Sequence, residues 1–329
     1  MKRVITVGSA VVDVLVRSNG FRVMKSHLVE GGVAMCEVYG GKLGAEEIST
    51  EVGGGGTNVA LGLKRLGVFA RPFSLVGDDE WGKWIRKNLE RESLETNGIR
   101  EVVGSTAVSV ILIADGGGRT IITQRGVGAK MSAKDIDWKM LDKANWVQIS
   151  SLGGNVNLLE DIVLYAFSKK IKIGLNPGKK ELEEKKTLLS LLPKIEYLNV
   201  NHMEAVKFFK GRYGEDKKMA RRFLDEGVKY LTITDGVGGA GLAMGDTWIK
   251  ANSYKTKSID DTGAGDAFTA GVVAGFLAGR EKEEVLKMGL ANGAKVVTML
   301  GAKRGLLRKE EMNKWVKKRR VKIVEEKCG

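Results

Sequence analysis

With 329 residues, 43% of them apolar and 29% charged, the chain excludes a disordered polymer and can bury a sizeable core. Its net charge of +14 is spread along the sequence, with the densest run at Lys317-Lys318-Arg319-Arg320. That pattern reads as a solvated basic end and a field that attracts small anions, and no nucleic-acid partner is expected from it. The two cysteines, Cys36 and Cys328, make no C-x-x-C pair, and no apolar run reaches 18 residues, so a cytoplasmic protein with no membrane span is expected.

The first predicted elements are the β-branched runs Arg3–Val7 and Ala10–Val16, split by Gly8-Ser9 and both read as core strands. Asp13 stands among valines in the second run. An unpaired buried carboxylate is costly, so Asp13 either faces a cleft and a ligand or points outward. It also interrupts the apolar start too early for a signal peptide. Further on, Ala34–Tyr39 and Glu46–Val52 are predicted strands around the Gly40-Gly41 turn. Val108–Ala114 and Thr120–Gln124 form a second hairpin joined by Asp115-Gly116-Gly117-Gly118-Arg119. The two hairpins are expected to combine in one small sheet outside the main core.

Gly53-Gly54-Gly55-Gly56-Thr57-Asn58 opens an apolar helix predicted over Val59–Leu66. Four glycines let a ligand approach the backbone or serve as a hinge, and the two uses are compatible. From Arg71 onward strands and helices alternate. Strands are predicted at Phe73–Val76, Trp146–Ile149, Ile171–Leu175, Ile195–Val200 and Tyr230–Thr234. Helices are predicted at Glu80–Arg91, near Leu158–Lys169 and from Asn201. This order implies an α/β fold, a Rossmann-like parallel sheet covered by helices on both faces. Ligands of such sheets bind at the carboxyl ends of the strands, and Asn201, Glu204, Thr234, Gly236 and Asp266 all follow predicted strand ends.

Two glycine motifs are rejected. Gly77 to Trp84 fits G-x-x-x-x-G-K, but Trp84 stands where a P-loop needs Ser or Thr, and three acids in the loop would repel phosphate. Gly236 to Gly241 fits G-x-G-x-x-G, but Leu242 to Asp246 reads as a strand and turn where a dinucleotide site needs a helix.

Ile259-Asp260-Asp261-Thr262-Gly263-Ala264-Gly265-Asp266-Ala267-Phe268 carries the chemistry. A strand-like run, Ser253–Ile259, leads in, and a small-residue helix, Ala267–Ala278, leads out. A glycine turn at a helix start presents unpaired backbone N–H groups to an anion, typically phosphate, and Asp266 beside it could accept a proton. The plainer reading is a strand–helix turn with a dipole-stabilising Asp. Asn201-x-x-Glu204 is likewise either a hydrated-Mg²⁺ site or an N-cap with Glu at N3.

Together these pieces resemble the PfkB family of carbohydrate kinases. Asp260 to Phe268 is similar to its C-terminal signature; Gly53 to Asn58, with Gly67 and Gly77-Asp78-Asp79, resembles its N-terminal one. Asn201 to Glu204 matches its N-x-x-E element, and Thr234 to Gly239 resembles its nucleotide loop. The resemblance spans about residues 3–305. It implies a ribokinase-like fold, with a main α/β kinase domain at 1–17, 53–105 and 126–329 and a small β-sheet lid at 18–52 and 106–125. It implies ATP and Mg²⁺ as cofactors and a sugar or sugar derivative, or alternatively a nucleoside, as acceptor. Asp266 would be the general base, with Gly263, Ala264 and Gly265 as the anion hole. Asp13, Gly53, Gly54 and Asn58 would bind substrate. Asn201 and Glu204 would act on Mg²⁺ and phosphates, Glu204 largely through water. Thr234, Gly236, Gly239 and Asn292 would line the nucleotide. Asp260 and the turn around Gly301 resemble the monovalent-cation region of some members, which implies K⁺. A homodimer through the lid is a further implication. The rival from another class is a non-catalytic sugar- or nucleotide-sensing protein on the same scaffold.

The chain departs from the ribokinase pattern at three places. Val11 replaces an Asn, Gly55 replaces a Lys, and Ser150-Ser151-Leu152-Gly153-Gly154 lacks a Glu. A site without those groups should bind ribose poorly. The longer Asn19–Gly44 segment implies a remodelled lid.

Overall fold

The computed structural model describes residues 2–27, 33–114, 118–318 and 321–328. Residues 115–117 of the second hairpin's connection and Arg319-Arg320 of the basic run lie outside the described residues.

In chain order the strands are β1 (Arg3–Val7), β2 (Val11–Arg17), β3 (Arg22–Lys25), β4 (Val33–Cys36), β5 (Glu47–Gly53), β6 (Phe69–Gly77), β7 (Ile99–Val102), β8 (Ala107–Ile113), β9 (Arg119–Gln124), β10 (Trp146–Ile149), β11 (Lys172–Leu175), β12 (Tyr197–Asn201), β13 (Tyr230–Thr234), β14 (Ala240–Met244), β15 (Thr247–Ala251) and β16 (Ile323–Lys327). The helices are α1 (Gly55–Arg65), α2 (Glu80–Arg91), α3 (Trp138–Leu141), α4 (Val156–Ser168), α5 (Lys179–Glu183), α6 (Lys185–Leu191), α7 (His202–Phe209), α8 (Asp216–Asp225), α9 (Ala264–Leu277), α10 (Lys282–Val296) and α11 (Lys309–Lys318).

Ten strands form the main sheet in the order β16-β15-β14-β13-β12-β11-β10-β1-β6-β7. The run from β13 to β7 is parallel, and β14, β15 and β16 add on antiparallel. Each face of the sheet carries its own core, as a parallel sheet requires. β1 feeds both: Ile5 and Val7 pack with the residues of α4, α7 and α8, while Val4 packs with those of α1, α9 and α10. α9 is apolar or small all round, which suits a helix buried on most sides. Its glycines set the packing distance. A Cβ at Gly271 would stand 2.4 Å from the Met288 carbonyl oxygen of α10, so α10 can lie this close only against glycine.

A second sheet has the order β5-β2-β8-β9, and β3 and β4 pair separately as an exposed antiparallel ribbon. Three expectations are corrected here. β2, read as a core strand, is instead central in the four-stranded sheet, pairing antiparallel with β5 and parallel with β8. The Gly8-Ser9 break lets the chain leave the main sheet: Gly56 N–H bonds the Ser9 carbonyl, and a Cβ at Gly54 (φ 93°) would stand 2.3 Å from that oxygen. Next, the strands flanking Gly40-Gly41 do not pair with each other. β4 pairs with β3, and β5 with β2, whose buried face completes a core with Val52. Finally, Ser253–Ile259 is irregular. Past Ala251 it has no neighbouring strand among the described residues, and it becomes a wall of the cavity described below. The β8–β9 hairpin forms as expected, with Val108 opposite Gln124 and Ile113 opposite Arg119.

Candidate active site

The turn before α9 is built on Asp260 and Gly263. Asp260 is fully buried. Its Oδ1 accepts from the Thr262 N–H (3.0 Å) and hydroxyl (2.6 Å), and its Oδ2 from the Gly301 N–H (2.9 Å). It therefore ties the turn to residues 301–305. Gly263 caps α9 in the left-handed region (φ 77°), and a Cβ there would meet that of Ala302 at 2.4 Å. A Cβ on Gly265 would meet nothing within 4 Å, so this residue faces open space. The Ala264 N–H is used by the Asp261 carbonyl and that of Ala267 by the Gly263 carbonyl. Those of Gly265 and Asp266 have no backbone acceptor among the described residues. A helix start leaves such donors free for an anion.

Beside this turn lies a cavity of about 480 Å³, lined by Thr234, Gly236, Gly239, Lys255, Ala264 and Gly265 among others. That volume lies within the ~300–1,000 Å³ common for small-molecule sites. The cavity opens at the carboxyl end of β13, beside the end of β12, where Asn201 and Thr234 are register partners. After β13 a 3₁₀ turn at Gly236–Gly238 leads into antiparallel β14, so no dinucleotide helix follows. Asn201 caps α7. Its Oδ1 accepts from the Glu204 N–H, and Glu204 Oε2 accepts from the Asn201 N–H, both at 2.8 Å. The capping reading is therefore realised, and Glu204 Oε1 is left over. Burial pushes the Glu204 carboxyl above its ordinary range, partly offset by the Asn201 N–H. A smaller cavity at the far end of α9, beside Leu66 and Met312, holds none of the expected site residues.

Asn292 does not reach the cavity. It is fully buried, its Nδ2 donating to the Ala267 carbonyl (2.7 Å) and its Oδ1 accepting from the Leu307 N–H (3.0 Å). The expectation that it lines the nucleotide is corrected: its amide is spent joining α10 to α9 and the 306–307 segment. Gly293 next to it lines the cavity instead.

Asp266, on the first turn of α9, meets the glycine motif. The Asn58 Nδ2 donates to Asp266 Oδ2 at 2.8 Å. A Cβ on Gly55 would stand 2.7 Å from the Ser150 Cβ and 3.4 Å from Asp266 Oδ1, so Gly55, Ser150 and Asp266 share one small space. The Ser150 hydroxyl is buried with no hydrogen-bond partner among the described residues. Burial pushes the Asp266 carboxyl above its ordinary range, while the Asn58 amide and Lys303 ammonium pull it back. Asp13 joins from β2, beside Gly53, where a Cβ would overlap its carboxylate. Burial raises Asp13 to about 6 against the pull of Lys303, with Glu51 and Asp260 adding to the rise.

Three contributors were missed in sequence. Lys303 is 8% exposed and donates to the Val52 carbonyl, the Thr57 hydroxyl (3.1 Å) and Asn58 Oδ1. Burial lowers its ammonium to about 8, with Asp13, Asp266 and Glu51 holding it up. Glu51, itself pushed up by burial, is paired with Arg304. Glu181 (1% exposed) holds the Ser151–Gly154 loop, accepting from the N–H groups of Leu152 (2.7 Å) and Gly154 (2.9 Å) and from the Ser151 hydroxyl. The carboxylate that α5 brings to this acid-free loop is thus bonded to loop backbone and to the Ser151 hydroxyl. The one available signal was its place at N3 after Gly178. Asp79, in the rejected P-loop, caps α2 through the Gly82 N–H and accepts from the Thr106 N–H and hydroxyl, so its role is to hold the fold.

Comparison with known proteins fits this layout. Residues 1–309 match the family described as pfkB family carbohydrate kinase. An uncharacterized sugar kinase of Archaeoglobus fulgidus is 27% identical over 261 residues, covering 75% of this chain and 99% of the relative. An ATP-dependent 6-phosphofructokinase of Thermoanaerobacterium thermosaccharolyticum is 26% identical, covering 80% and 84%. A crystal structure of a putative Ribokinase II from E. coli in complex with ATP and Mg²⁺ superposes with a TM-score of 0.79 at 21% identity, covering 97% of this chain and all of the other, a likeness of fold. The chain belongs to the pfkB family of carbohydrate kinases, a family of phosphotransferases acting on sugar hydroxyls. No helix among the described residues is long and apolar enough to cross a membrane.

Proposed function

We propose that the chain transfers the terminal phosphoryl group of ATP to a hydroxyl of a sugar or sugar derivative, with Asp266 as general base. The observation that carries this reading is the juxtaposition at the start of α9. Free helix N–H groups and open space at Gly265 face the 480 Å³ cavity, and one residue on, Asp266 is held by Asn58. The donor residues fit a bound nucleotide. Thr234, Gly236 and Gly239 line the cavity, and no side chain fills the space beyond Gly265. Mg²⁺-ATP, when bound, supplies the phosphoryl group and the metal's counter-charge; Glu204, with Asn201, would hold the metal through water. Asp13 and Asn58 orient the acceptor. Asp266 Oδ1 takes the acceptor's proton as the oxygen attacks; of the expected anion hole, Gly263, Ala264 and Gly265, the Ala264 N–H is already used by the Asp261 carbonyl, so the amides of Gly263 and Gly265, with that of Asp266, would hold the negative charge of the phosphates. Asp260 is already bonded to three donors, so a K⁺ there would coordinate an oxygen that also accepts from Thr262 or Gly301. We take β5-β2-β8-β9 with β3–β4 as the lid. Arg119 on β9 reaches Asp261 of the turn at 4.0 Å, a contact across which closure could be sensed. Ile48, Ile121 and Ile122 are exposed on the small sheet, and a second copy pairing there is the dimer this reading implies.

An ADP-release screen over sugars, sugar phosphates and nucleosides, with ATP and Mg²⁺, tests the reading. Turnover of a sugar or sugar phosphate well above nucleosides supports it. Preference for a nucleoside moves the acceptor to the alternative class, and no ADP release with any acceptor favours a sensing protein.

A further inference from the structure

The glycine motif itself carries no cation, yet a buried ammonium stands directly behind it. It arrives from Lys303, 245 positions further along the chain than Asn58, and the 301–305 turn aims it inward. That turn is pinned from both sides. The Gly301 N–H bonds Asp260, and the Arg65 guanidinium donates to the Lys303 carbonyl (2.7 Å) and that of Leu306 (3.4 Å).

The ammonium has three protons and meets three acceptors: the Val52 carbonyl, the Thr57 hydroxyl and Asn58 Oδ1. An ammonium only donates, whereas an amide presents an acceptor on one side and donors on the other. The Asn58 side chain therefore has one workable orientation, with Oδ1 on Lys303 and Nδ2 on Asp266 Oδ2. The oxygen left over, Asp266 Oδ1, is the one nearest Gly55 and Ser150.

We infer that Lys303 is a positioning residue for phosphoryl transfer: through Asn58 it selects Asp266 Oδ1 as the oxygen that receives the acceptor's proton. The inference rests on Asp266 being the base. The charged groups facing the ammonium are Asp13 from β2, Glu51 from β5, Asp266 from α9 and Arg65 from α1. Losing its positive charge leaves Asp266 harder to ionise, so the carboxylate form needed for proton uptake persists only at higher pH.

Lys303→Met keeps the unbranched apolar stem as far as Cε and removes the ammonium with its donors. We expect kcat to fall about 10- to 100-fold, with the nucleotide KM within about twofold and the acid limb of the pH–rate profile displaced upward by about one pH unit. Asn58→Ala should displace the limb in the same direction, and the double variant with Lys303→Met should displace it by less than the two single shifts summed, since the part carried by the amide is already lost and only the direct pull of the ammonium on Asp266 remains. In Lys303→Ala, added methylammonium should restore part of kcat. An unmoved acid limb, full additivity with Asn58→Ala, or a loss that only tracks a lower Tm overturns the inference. If circular dichroism shows Lys303→Met unfolded, Thr57→Val takes one acceptor from the ammonium and leaves every charge in place. Its acid limb should rise by a few tenths of a unit (about 0.3), and an unmoved limb there overturns the inference. Asp266→Asn, measured alongside, separates the two claims. Near-normal kcat in that variant removes the base itself, whereas an inactive Asp266→Asn with an unmoved limb in the Lys303 variants removes only Lys303's part.

Discussion

The two halves of the candidate site are made of different material. The donor half is backbone: a left-handed glycine cap, open space at Gly265, and a turn fixed by Asp260. The acceptor half is side chains brought in from separate elements: Asp13 from β2, Asn58 from α1, Lys303 from the 301–305 turn and Asp266 from α9. A backbone cradle tolerates almost any sequence around it provided the glycines remain. A network of buried charges is retuned whenever one member changes. On the proposed function, this division separates the phosphate chemistry from the choice of acceptor.

The comparison can be broken from either side. The largest effect is expected for Asp266→Asn, a fall in kcat of about 10³-fold in steady-state ADP release, because a positioned base typically contributes ~10²–10⁴. On the donor side, Gly265→Val should fold normally, since nothing lies within 4 Å of the new Cβ, and should raise the nucleotide KM about 10- to 100-fold by filling the phosphate space. An unchanged KM would show that the space beyond Gly265 is not where phosphate sits. Gly263→Ala should instead act through the fold. A positive φ and a 2.4 Å approach to Ala302 predict a loss of roughly 1–3 kcal/mol by denaturant titration, and a variant as stable as the parent would refute the strained cap. The smallest effect is expected at Glu204→Gln. The cap to Asn201 survives as an amide, so the loss, about tenfold, should appear as a raised Mg²⁺ requirement in a metal titration of rate.

The same contrast explains what could be read in the sequence. The parallel sheet was legible because its strands are buried on both faces and leave short, mostly apolar runs, as at Trp146–Ile149, where Gln148 is the one polar residue. The donor turn was legible because positive φ demands glycine, and glycine is visible in a sequence. β2 was misread because a strand central to a small two-sided sheet is as β-branched as one in the main core. Ser253–Ile259 was misread because alternation alone does not supply a neighbouring strand. Asn292 followed motif position, whereas burial had committed its amide to backbone groups. Lys303 stood in an unremarkable Gly-Ala-Lys-Arg-Gly turn. Only the fold puts its ammonium against Asn58, and nothing local in the sequence encodes that contact.

Calorimetric titration of ATP into Asp266→Asn and Gly265→Val, with turnover measured on the same preparations, tests this division most directly. The account predicts that Asp266→Asn binds ATP as the parent does while turning over about 10³-fold more slowly, and that Gly265→Val loses ATP affinity while keeping its base intact. Near-normal turnover in Asp266→Asn, or an equal loss of ATP binding in both variants, would contradict it.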